Sequence, residues 1–298
     1  MSKPILTIFI PAYNGEAHLE ESIQSAIGQD KNISRVVVLF GGGGGREIVE
    51  KYLDQGVGLV DTSLTPGMAN NWNYAIQLAE TEYFSILHQD DLLSPEYARK
   101  MMEFIENIHD VSCAMVYCDN FTVNESGRSM LYFSDHIKRM FRHSKIDLQN
   151  DFKVLLKVPF ITCPTILYKT SSARSVGLFN KSYKDALDWE YQIRTILKGF
   201  SIHYLPLKLY SYRRHTKNES VKNCKNLCRY HEIIDVYNGL FLGAGEVMSK
   251  LKISAGELRF AVYFLLLKDG VSDLIRLRSS GLSKFALLCN FLCHKRGK

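Results

Sequence analysis

The sequence lacks the marks of a secreted, disulfide-bonded or membrane-spanning protein. Its seven cysteines are an odd number and contain no C-x-x-C pair, which favours reduced thiols. No apolar run approaches the roughly 18 residues that a spanning helix needs. The opening segment MSKPILTIFIP has an apolar run too short for a signal peptide and no small-residue cleavage site. We therefore expect a cytoplasmic protein.

The sequence also lacks a dense cluster of basic residues and a phosphate-binding loop that ends in Gly-Lys-Ser/Thr. The formal charge is +6, but Lys and Arg are spread thinly until the last residues, so we expect no nucleic-acid partner. An anionic substrate or membrane face fits this charge better. The glycine run LFGGGGG, from Leu39 to Gly45, is followed by Arg46 and Glu47, where a phosphate loop would have Lys and a hydroxyl. We interpret it as a flexible turn between a strand and a helix.

Strand-like and helix-like segments alternate over the first part of the chain. ILTIFIPAYN, RVVVLF, VGLVDT and YFSILHQDD predict strands, and the segments between them have helical spacing. Asn14 suits the cap of the first helix, and Gly28 suits its end. Such alternation predicts a mostly parallel sheet covered on both faces. Right-handed crossovers then place PAYN, LFGGGGG and HQDD on one rim, where open sheets bind ligands.

Two adjacent carboxylates, Asp90 and Asp91, follow the fourth predicted strand where the sheet meets solvent. A hard divalent cation such as Mg²⁺ or Mn²⁺ takes carboxylate ligands of this kind and completes its shell with substrate phosphates. Alternatively, the two residues cap the helix that begins near Pro95. The motif alone leaves both interpretations open.

The chain from Cys224 onward predicts a helical appendage, so we divide the protein into residues 1–223 and 224–298. Three arrangements stay open: the appendage packs on the body, pairs with a second copy as a homodimer, or lies on a membrane. Packing or pairing is favoured. Cys224, Cys228 and His231 could share a helix face and hold zinc, but no second ligand pair matches, which favours plain packing.

Several segments, in a fixed order, resemble the glycosyltransferase family 2 enzymes with the GT-A fold. They are IPAYNGEAHLEESIQSAIGQ, REIVEKY, GMANNWNYAIQLAETEYFSILHQDDLLSPE, DWEYQIR and YRRHTKNES. Their combination covers roughly the first 220 residues and is more specific than any single motif. The resemblance implies an α/β fold of GT-A type, with a mostly parallel Rossmann-like sheet flanked by helices. It also implies a metal-dependent inverting glycosyltransferase of the hexosyltransferase type.

The resemblance assigns roles to the polar residues of these segments. Asp91 is implied as a direct metal ligand and His215, in YRRH, as a second one, with Mn²⁺ or Mg²⁺ as the cofactor. Asp90 is implied to face the donor. LDWEYQIR resembles the segment of the general base, where Leu187 replaces a Glu and Asp188 keeps the Asp. Asp188 could also cap its helix, and both roles can coexist in one residue.

The implied donor contacts lie at the end of the first strand and on the third helix. Tyr13 offers a ring for the base, although it could instead pack in the core. Trp72 and His88 stand where many family members have Arg and a further Asp, respectively. Together with Asp90, the implied donor-binding residues are Pro11, Ala12, Tyr13, Glu16, Gly67 and Asn73.

The glycine run departs from the family pattern. In many members the second strand ends in Asp-Asp-Gly-Ser, and the first Asp reads the nucleotide base, whereas Leu39 and Phe40 stand here. These side chains can cover a base but cannot accept its imide N–H, so another segment or the backbone must read it. Five glycines are costly to order, and we predict a loop that is mobile without donor and folds over it when bound.

From these residues and the resemblance, we expect transfer of a sugar from a UDP- or dTDP-sugar to a hydroxyl group. A saccharide or lipid-linked acceptor of bacterial surface polysaccharide synthesis is implied, and peripheral inner-membrane contact fits the basic, apolar tail. A non-catalytic sugar-nucleotide-binding protein derived from the family is the alternative, although metal-site and base residues are retained together. A nucleotidyltransferase would need a Lys- or Arg-rich loop near the first strand, and PAYNGEAHLE has none.

Overall fold

The structure, a computed structural model, describes most of the chain. The described residues are 3–130, 144–157, 159–215, 218, 223, 227–254, 256, 266–267, 270, 281–284 and 286–287. The strands in chain order are β1 (Leu6–Ala12), β2 (Ser34–Phe40), β3 (Gly58–Asp61), β4 (Tyr83–Ile86), β5 (Leu92–Leu93), β6 (Cys113–Val123), β7 (Ser129–Met130), β8 (Lys145–Ile146), β9 (Ile166–Lys169) and β10 (Ser201–Arg213). The helices are α1 (Leu19–Ile27), α2 (Arg46–Glu50), α3 (Met68–Leu78), α4 (Tyr97–Glu106), α5 (Phe152–Lys157), α6 (Thr170–Val176), α7 (Leu187–Leu197), α8 (Cys228–Gly243) and α9 (Gly245–Lys250).

The strands form one mixed sheet in the order β3-β2-β1-β4-β9-β6-β10-β5, with β7 paired to β6 and β8 paired to β10. β1, β2, β3 and β4 are parallel, as the alternating pattern predicts, so the predicted α/β fold class is confirmed. β9 lies antiparallel between β4 and β6, and β10 runs parallel to β6. The carboxyl ends of the first four strands therefore lie along one rim of the sheet.

Helix α1 shows how the apolar pattern produces the core. Leu19, Ile23 and Ala26 recur at helical spacing, and each is at most 1% exposed. They belong to the same core cluster as the branched residues of β1 and β2. Gly28 ends the helix as predicted. The predicted cap at Asn14 is wrong, because the helix begins at Leu19 and Asn14 adopts a left-handed conformation with φ 48°. Asn14 belongs instead to the turn that reaches the glycine run.

The chain divides into two compact units. The first comprises residues 1–155, 159–181 and 187–215 and holds the sheet, and the second comprises 156–158, 182–186 and 216–298. The predicted boundary at 223/224 stays a prediction. Of the residues weighed as zinc ligands, Cys224 lies outside the described residues, and the thiol of Cys228 donates to Glu232 at 3.0 Å. Two apolar stretches of the predicted appendage, residues 260–267 and 285–293 of the sequence, also lie largely outside the described residues.

The helices in the described part of the chain are all too short or too polar to cross a bilayer.

Candidate functional site

The segment after β1 lies at the rim with its backbone clamped by a side chain. Gln89 accepts the Tyr13 N–H at 2.7 Å and donates to the Tyr13 carbonyl at 2.9 Å. The Tyr13 side chain is 56% exposed, so it does not pack in the core. Pro11 is half-buried and Ala12 is buried, and the Ala12 carbonyl accepts the Gly41 N–H at 2.7 Å. The backbone is therefore fixed while the aromatic ring is left available at the surface.

The glycine run packs its backbone against this same segment. Gly42, Gly43 and Gly45 have positive φ angles of 102°, 77° and 98°, which side chains with a Cβ rarely adopt. A Cβ on Gly43 would lie 1.9 Å from Asn14 Oδ1, and one on Gly44 would lie 1.6 Å from Glu16 Oε1. The glycines thus allow the segments after β1 and β2 to pack closely together, and Glu16 lies beside Gly44 where the two segments meet.

Asp91 is enclosed completely in the first unit. Its side chain has 0% exposure, Oδ2 accepts the Tyr210 hydroxyl at 2.5 Å, and Oδ1 accepts the Arg213 backbone N–H at 2.6 Å. Burial, together with the neighbouring charge of Asp90, raises the pKa of Asp91 well above its usual range. The donors come from β10, so this strand holds the acidic loop in place.

Asp90 and His215 form a close pair beside the enclosed carboxyl. His215 Nε2 lies 2.9 Å from Asp90 Oδ2, and the two side chains are 14% and 22% exposed. The His18 ring centroid lies 5.9 Å from that of His215. His215 therefore contacts the residue predicted to face the donor, while Tyr210 and Arg213 bind the carboxyl predicted to be the metal ligand.

His88 adds an imidazole to the two carboxylates. Its Nδ1 lies 3.7 Å from Asp91 Oδ2, and its ring stacks on Trp72 with centroids 5.6 Å apart. Burial lowers the pKa of His88, which favours the neutral ring that a metal requires. His88, Asp90 and Asp91 each offer one ligand atom, and these three atoms lie within 4.8 Å of one another. Oxygen and nitrogen donors at this spacing fit a divalent cation.

Arg213 is a further residue of this site, and no motif of the sequence predicts it. Its guanidinium is 2% exposed and donates to the Asp90 carbonyl, the Glu125 carbonyl and the Glu21 carboxylate at 2.9, 2.9 and 2.7 Å. It thereby ties α1 and the segment after β6 to the acidic loop. The signal in the sequence was a basic residue at the end of an apolar segment, directly before Arg214 and His215.

The predicted donor residues of α3 have structural partners. Gly67 precedes the helix with φ 127°. The Asn73 amide is 3% exposed, accepts the Phe179 N–H at 2.7 Å and donates to the Phe179 carbonyl at 3.1 Å. Trp72 packs edge-on against the Phe179 ring with centroids 5.3 Å apart. Asn73 thus fixes the segment after α6, and its contact with a donor stays a prediction.

Asp188 lies in the first turn of α7 and is held by backbone donors. Oδ1 accepts the Trp189 N–H at 2.8 Å, and Oδ2 accepts the Cys163 N–H at 3.3 Å. The side chain is half-buried. Burial, followed by the nearby charge of Asp188, raises the pKa of the Cys163 thiol. The geometry gives an oriented carboxylate at a helix start, and its role as a general base stays a prediction.

Comparison with known sequences gives a family match. Residues 7–177 match the sequence model described as Glycosyl transferase family 2. The chain is also 31% identical over 211 residues to an uncharacterized glycosyltransferase of Rickettsia typhi. That alignment covers 67% of this chain and 61% of the relative, so the chain spans about three fifths of that protein's length.

Two solved structures share the fold at low sequence identity. TarS 1–349 of S. aureus, in complex with UDP-GlcNAc, has a TM-score of 0.60 and 17% identity, over 100% of this chain and 93% of that one. A mannosyltransferase of Pyrobaculum calidifontis, in complex with GDP-Man and Mn²⁺, has a TM-score of 0.54 and 15% identity, over 98% and 86%. Both likenesses show the architecture of the sheet and its helices.

Proposed function

The chain belongs to glycosyl transferase family 2, and we propose that it transfers a sugar from a nucleotide-diphosphate donor to an acceptor hydroxyl group. The observation that carries this proposal is the group of His88, Asp90, Asp91 and His215 on the rim that also presents the Tyr13 ring. We propose a UDP- or dTDP-sugar as the donor. The family resemblance supports a saccharide or lipid-linked acceptor of bacterial surface polysaccharide synthesis.

Asp90 and His215 are the residues that we propose to hold the cation. Asp90 is 22% exposed, whereas Asp91 has 0% exposure and already accepts two hydrogen bonds. This proposal differs from the sequence prediction, which made Asp91 the direct ligand: it assigns the cation to Asp90 and leaves Asp91 enclosed by its bonds to Tyr210 and Arg213. When bound, the cation offsets negative charge on the leaving diphosphate. A carboxylate with one or two imidazoles favours Mn²⁺ over Mg²⁺, because Mg²⁺ prefers oxygen ligands alone.

Asp188 is the proposed general base. Its carboxylate would take the proton of the acceptor hydroxyl as the oxygen attacks the anomeric carbon from the side opposite the diphosphate, which inverts that carbon. A positioned base contributes about 10² to 10⁴ in rate. The two backbone N–H donors from Cys163 and Trp189 support this role, because they fix the orientation of the carboxylate without neutralising it.

Titration calorimetry with UDP, dTDP and GDP, each with and without Mn²⁺, tests the donor site. We expect one nucleotide to bind only with Mn²⁺, and Asp90→Asn to weaken that binding at least tenfold. Asp54→Asn is the matched control, because Asp54 is an exposed acid on the short turn Leu53–Gln55. Failure of every nucleotide to bind would exclude the proposed function.

A transfer assay separates the enzyme from a non-catalytic binder. Asp188→Asn should keep the nucleotide affinity of the wild type. The rate at which the nucleoside diphosphate is released from the donor should fall about 10² to 10⁴-fold. A wild type that binds donor but never releases the nucleoside diphosphate would favour the non-catalytic alternative.

We further propose that residues 224–298 pair with a second copy or contact an inner-membrane face. Sedimentation tests the pairing, and vesicle binding tests the membrane contact.

A further inference from the structure

The ends of β1, β2 and β3 form a row across the rim. Ala12 pairs with Phe40, and Phe40 pairs with Asp61 on the next strand. Because neighbouring strands lie about 4.8 Å apart, the row spans about 10 Å from the end of β1 to Asp61. Tyr13, with its exposed ring, follows directly after one end of the row, and a carboxylate stands at the other.

The middle of this row carries no side chain at the surface. Leu39 and Phe40 are buried at 0% and 5% exposure, so they belong to the core instead of covering a ligand. The residues that follow them are Gly41 and Gly42. A Cβ on Gly41 would lie 2.9 Å from Asn71 Nδ2, and one on Gly42 would lie 3.5 Å from the Ser63 side chain. Gly41 and Gly42 therefore place no side chain of their own between the Tyr13 ring and Asp61, and the side chains of Asn71 and Ser63 lie close to their backbone.

Asp61 is an oriented and ionised carboxylate. Oδ1 accepts the Ser63 hydroxyl at 2.5 Å and the Ser63 N–H at 3.0 Å, and Oδ2 accepts a hydrogen bond from Arg46 at 2.7 Å. These bonds, the Ser63 hydroxyl first, lower the pKa of Asp61 to about 2. Arg46 is itself placed by its contact over the Phe40 ring, 5.5 Å from the centroid. Both acceptor sites of Oδ1 are used, whereas Oδ2 has one lone pair beyond the bond to Arg46.

We propose that Asp61 reads the nucleobase of the donor and that this base is uracil or thymine. The inference rests on the proposed donor binding at this rim. A single acceptor site on Oδ2 matches a ring with one N–H between two carbonyls, which is the imide of uracil and thymine. Guanine presents two adjacent N–H donors and needs both carboxylate oxygens, and Ser63 occupies one of them. Adenine and cytosine have no ring N–H for the carboxylate to accept.

The location of Asp61 explains how the chain manages without a carboxylate at the end of β2. The acid stands one strand further along the sheet, and Gly41 and Gly42 add no side chain between Tyr13 and Asp61. Arg46 adds a cationic donor beside the carboxylate, in reach of the same edge of the row. The glycine run and Asp61 are thus two parts of one base-binding arrangement.

The test compares UDP with N3-methyl-UDP, which lacks the imide N–H, by titration calorimetry in the presence of Mn²⁺. We expect the wild type to bind UDP at least tenfold more tightly than N3-methyl-UDP. Asp61→Ala should bind UDP about tenfold more weakly and should no longer distinguish the two nucleotides. Glu50→Gln is the matched control, because Glu50 is the other carboxylate bonded to Arg46, at 3.2 Å, and its loss should leave UDP affinity within twofold.

The outcomes separate this inference from the proposed function. A wild type that binds UDP and N3-methyl-UDP equally, or prefers GDP, overturns the role of Asp61 while donor binding stands. UDP affinity in Asp61→Ala equal to that of the wild type does the same. If no nucleotide binds the wild type, the proposed function itself fails. The comparison of the two nucleotides needs only the wild type, so the inference stays testable even if the variant does not fold.

Discussion

At the scale of single residues, Arg213 determines the geometry of the acidic loop more than any carboxylate does. Its guanidinium donates to two carbonyls and one carboxylate, and its backbone N–H binds Asp91. A buried charge of this kind is tolerated only when its donors are all satisfied. The bonds to Asp90 and Asp91 restrict the acidic loop, and those to Glu21 and Glu125 hold Arg213 in place, so Arg213 positions the proposed cation ligand Asp90.

We predict that Arg213→Lys destabilises the protein and loosens the site. Lysine cannot reproduce the planar fork of donors, and it leaves buried carbonyls unpaired, which costs on the order of 3 kcal/mol of unfolding free energy. Urea unfolding and Mn²⁺-dependent nucleotide binding measure the two effects. Arg99→Lys is the control, because Arg99 is 46% exposed and pairs with the exposed residues Glu96 and Glu103. If Arg213→Lys bound the nucleotide as tightly as the wild type, Arg213 would not be a positioning residue of the site.

Asp110 should make stability depend on pH. Burial alone would raise its pKa, but hydrogen bonds from Ser112, Lys145, His203 and Ser201 outweigh it and hold the pKa well below the usual 3.8. A folded-state pKa below the unfolded one stabilises the fold above the unfolded pKa, and this stabilisation is lost as the pH falls through the folded pKa. Asp110→Asn should therefore be less stable than the wild type at pH 7, and the difference should shrink below about pH 4.

Urea unfolding at pH 7, 5 and 3 measures this difference between the wild type and Asp110→Asn. Ser201→Ala removes one donor, at 2.8 Å from the carboxylate, and should show the same trend with a smaller amplitude. A stability difference that is equal at pH 3 and pH 7 would show that the ionised carboxylate contributes nothing.

At the scale of elements, the sequence predicts the first half of the sheet and misses the strand that completes the site. β1, β2 and β4 are short apolar runs between helices of clear periodicity. β10 has register shifts between Leu205 and Lys208 and between Lys208 and Tyr210, which break the two-residue alternation that identifies a strand. No local pattern could show that Tyr210 and Arg213 bind Asp91. The resemblance placed Asp90 and His215 in one site, but their direct pairing required the structure.

The close approach of the glycine run gives a prediction at this scale. Gly43→Ala should cost more stability than Gly56→Ala and should weaken nucleotide binding at least tenfold. Both glycines have positive φ angles, 77° and 88°, but a Cβ on Gly56 meets nothing within 4 Å, whereas one on Gly43 meets Asn14. Backbone strain of about 1–2 kcal/mol is common to both. Thermal unfolding and calorimetry measure the two variants, and equal losses would mean that the contact with Asn14 is unimportant.

At the scale of the whole molecule, the second compact unit is assembled from separate parts of the chain. The Glu232 carboxylate of α8 accepts the backbone N–H groups of Lys184, Asp185 and Ala186, each at 2.8 Å. Tyr237 donates to the Leu156 carbonyl at 2.6 Å. Residues 184–186 and Leu156 therefore form hydrogen bonds with the appendage, which a division of the sequence at 223/224 does not reveal.

We predict that a chain ending at residue 223 unfolds at a lower temperature than the full chain. The truncation removes the three hydrogen bonds that the Glu232 carboxylate accepts from residues 184–186, and a hydrogen bond to a charged group contributes about 1.5–3 kcal/mol. Glu232→Gln in the full chain is the finer variant and should lower stability by about 1–3 kcal/mol. Calorimetric unfolding measures both. A fragment 1–223 as stable as the full chain would support the simpler two-part division.

The attachment of the acidic loop to β10 sets an order of events during synthesis. Asp91 accepts hydrogen bonds from the Tyr210 hydroxyl and the Arg213 backbone N–H. These two residues lie 119 and 122 positions after Asp91 in the chain. At the usual rate of translation, these partners leave the ribosome roughly 6 to 24 seconds after Asp91 does. A nascent chain in that interval already has the first four strands, but it has none of the β10 contacts that enclose Asp91. The capacity to bind donor should therefore arise late and abruptly, with the emergence of β10.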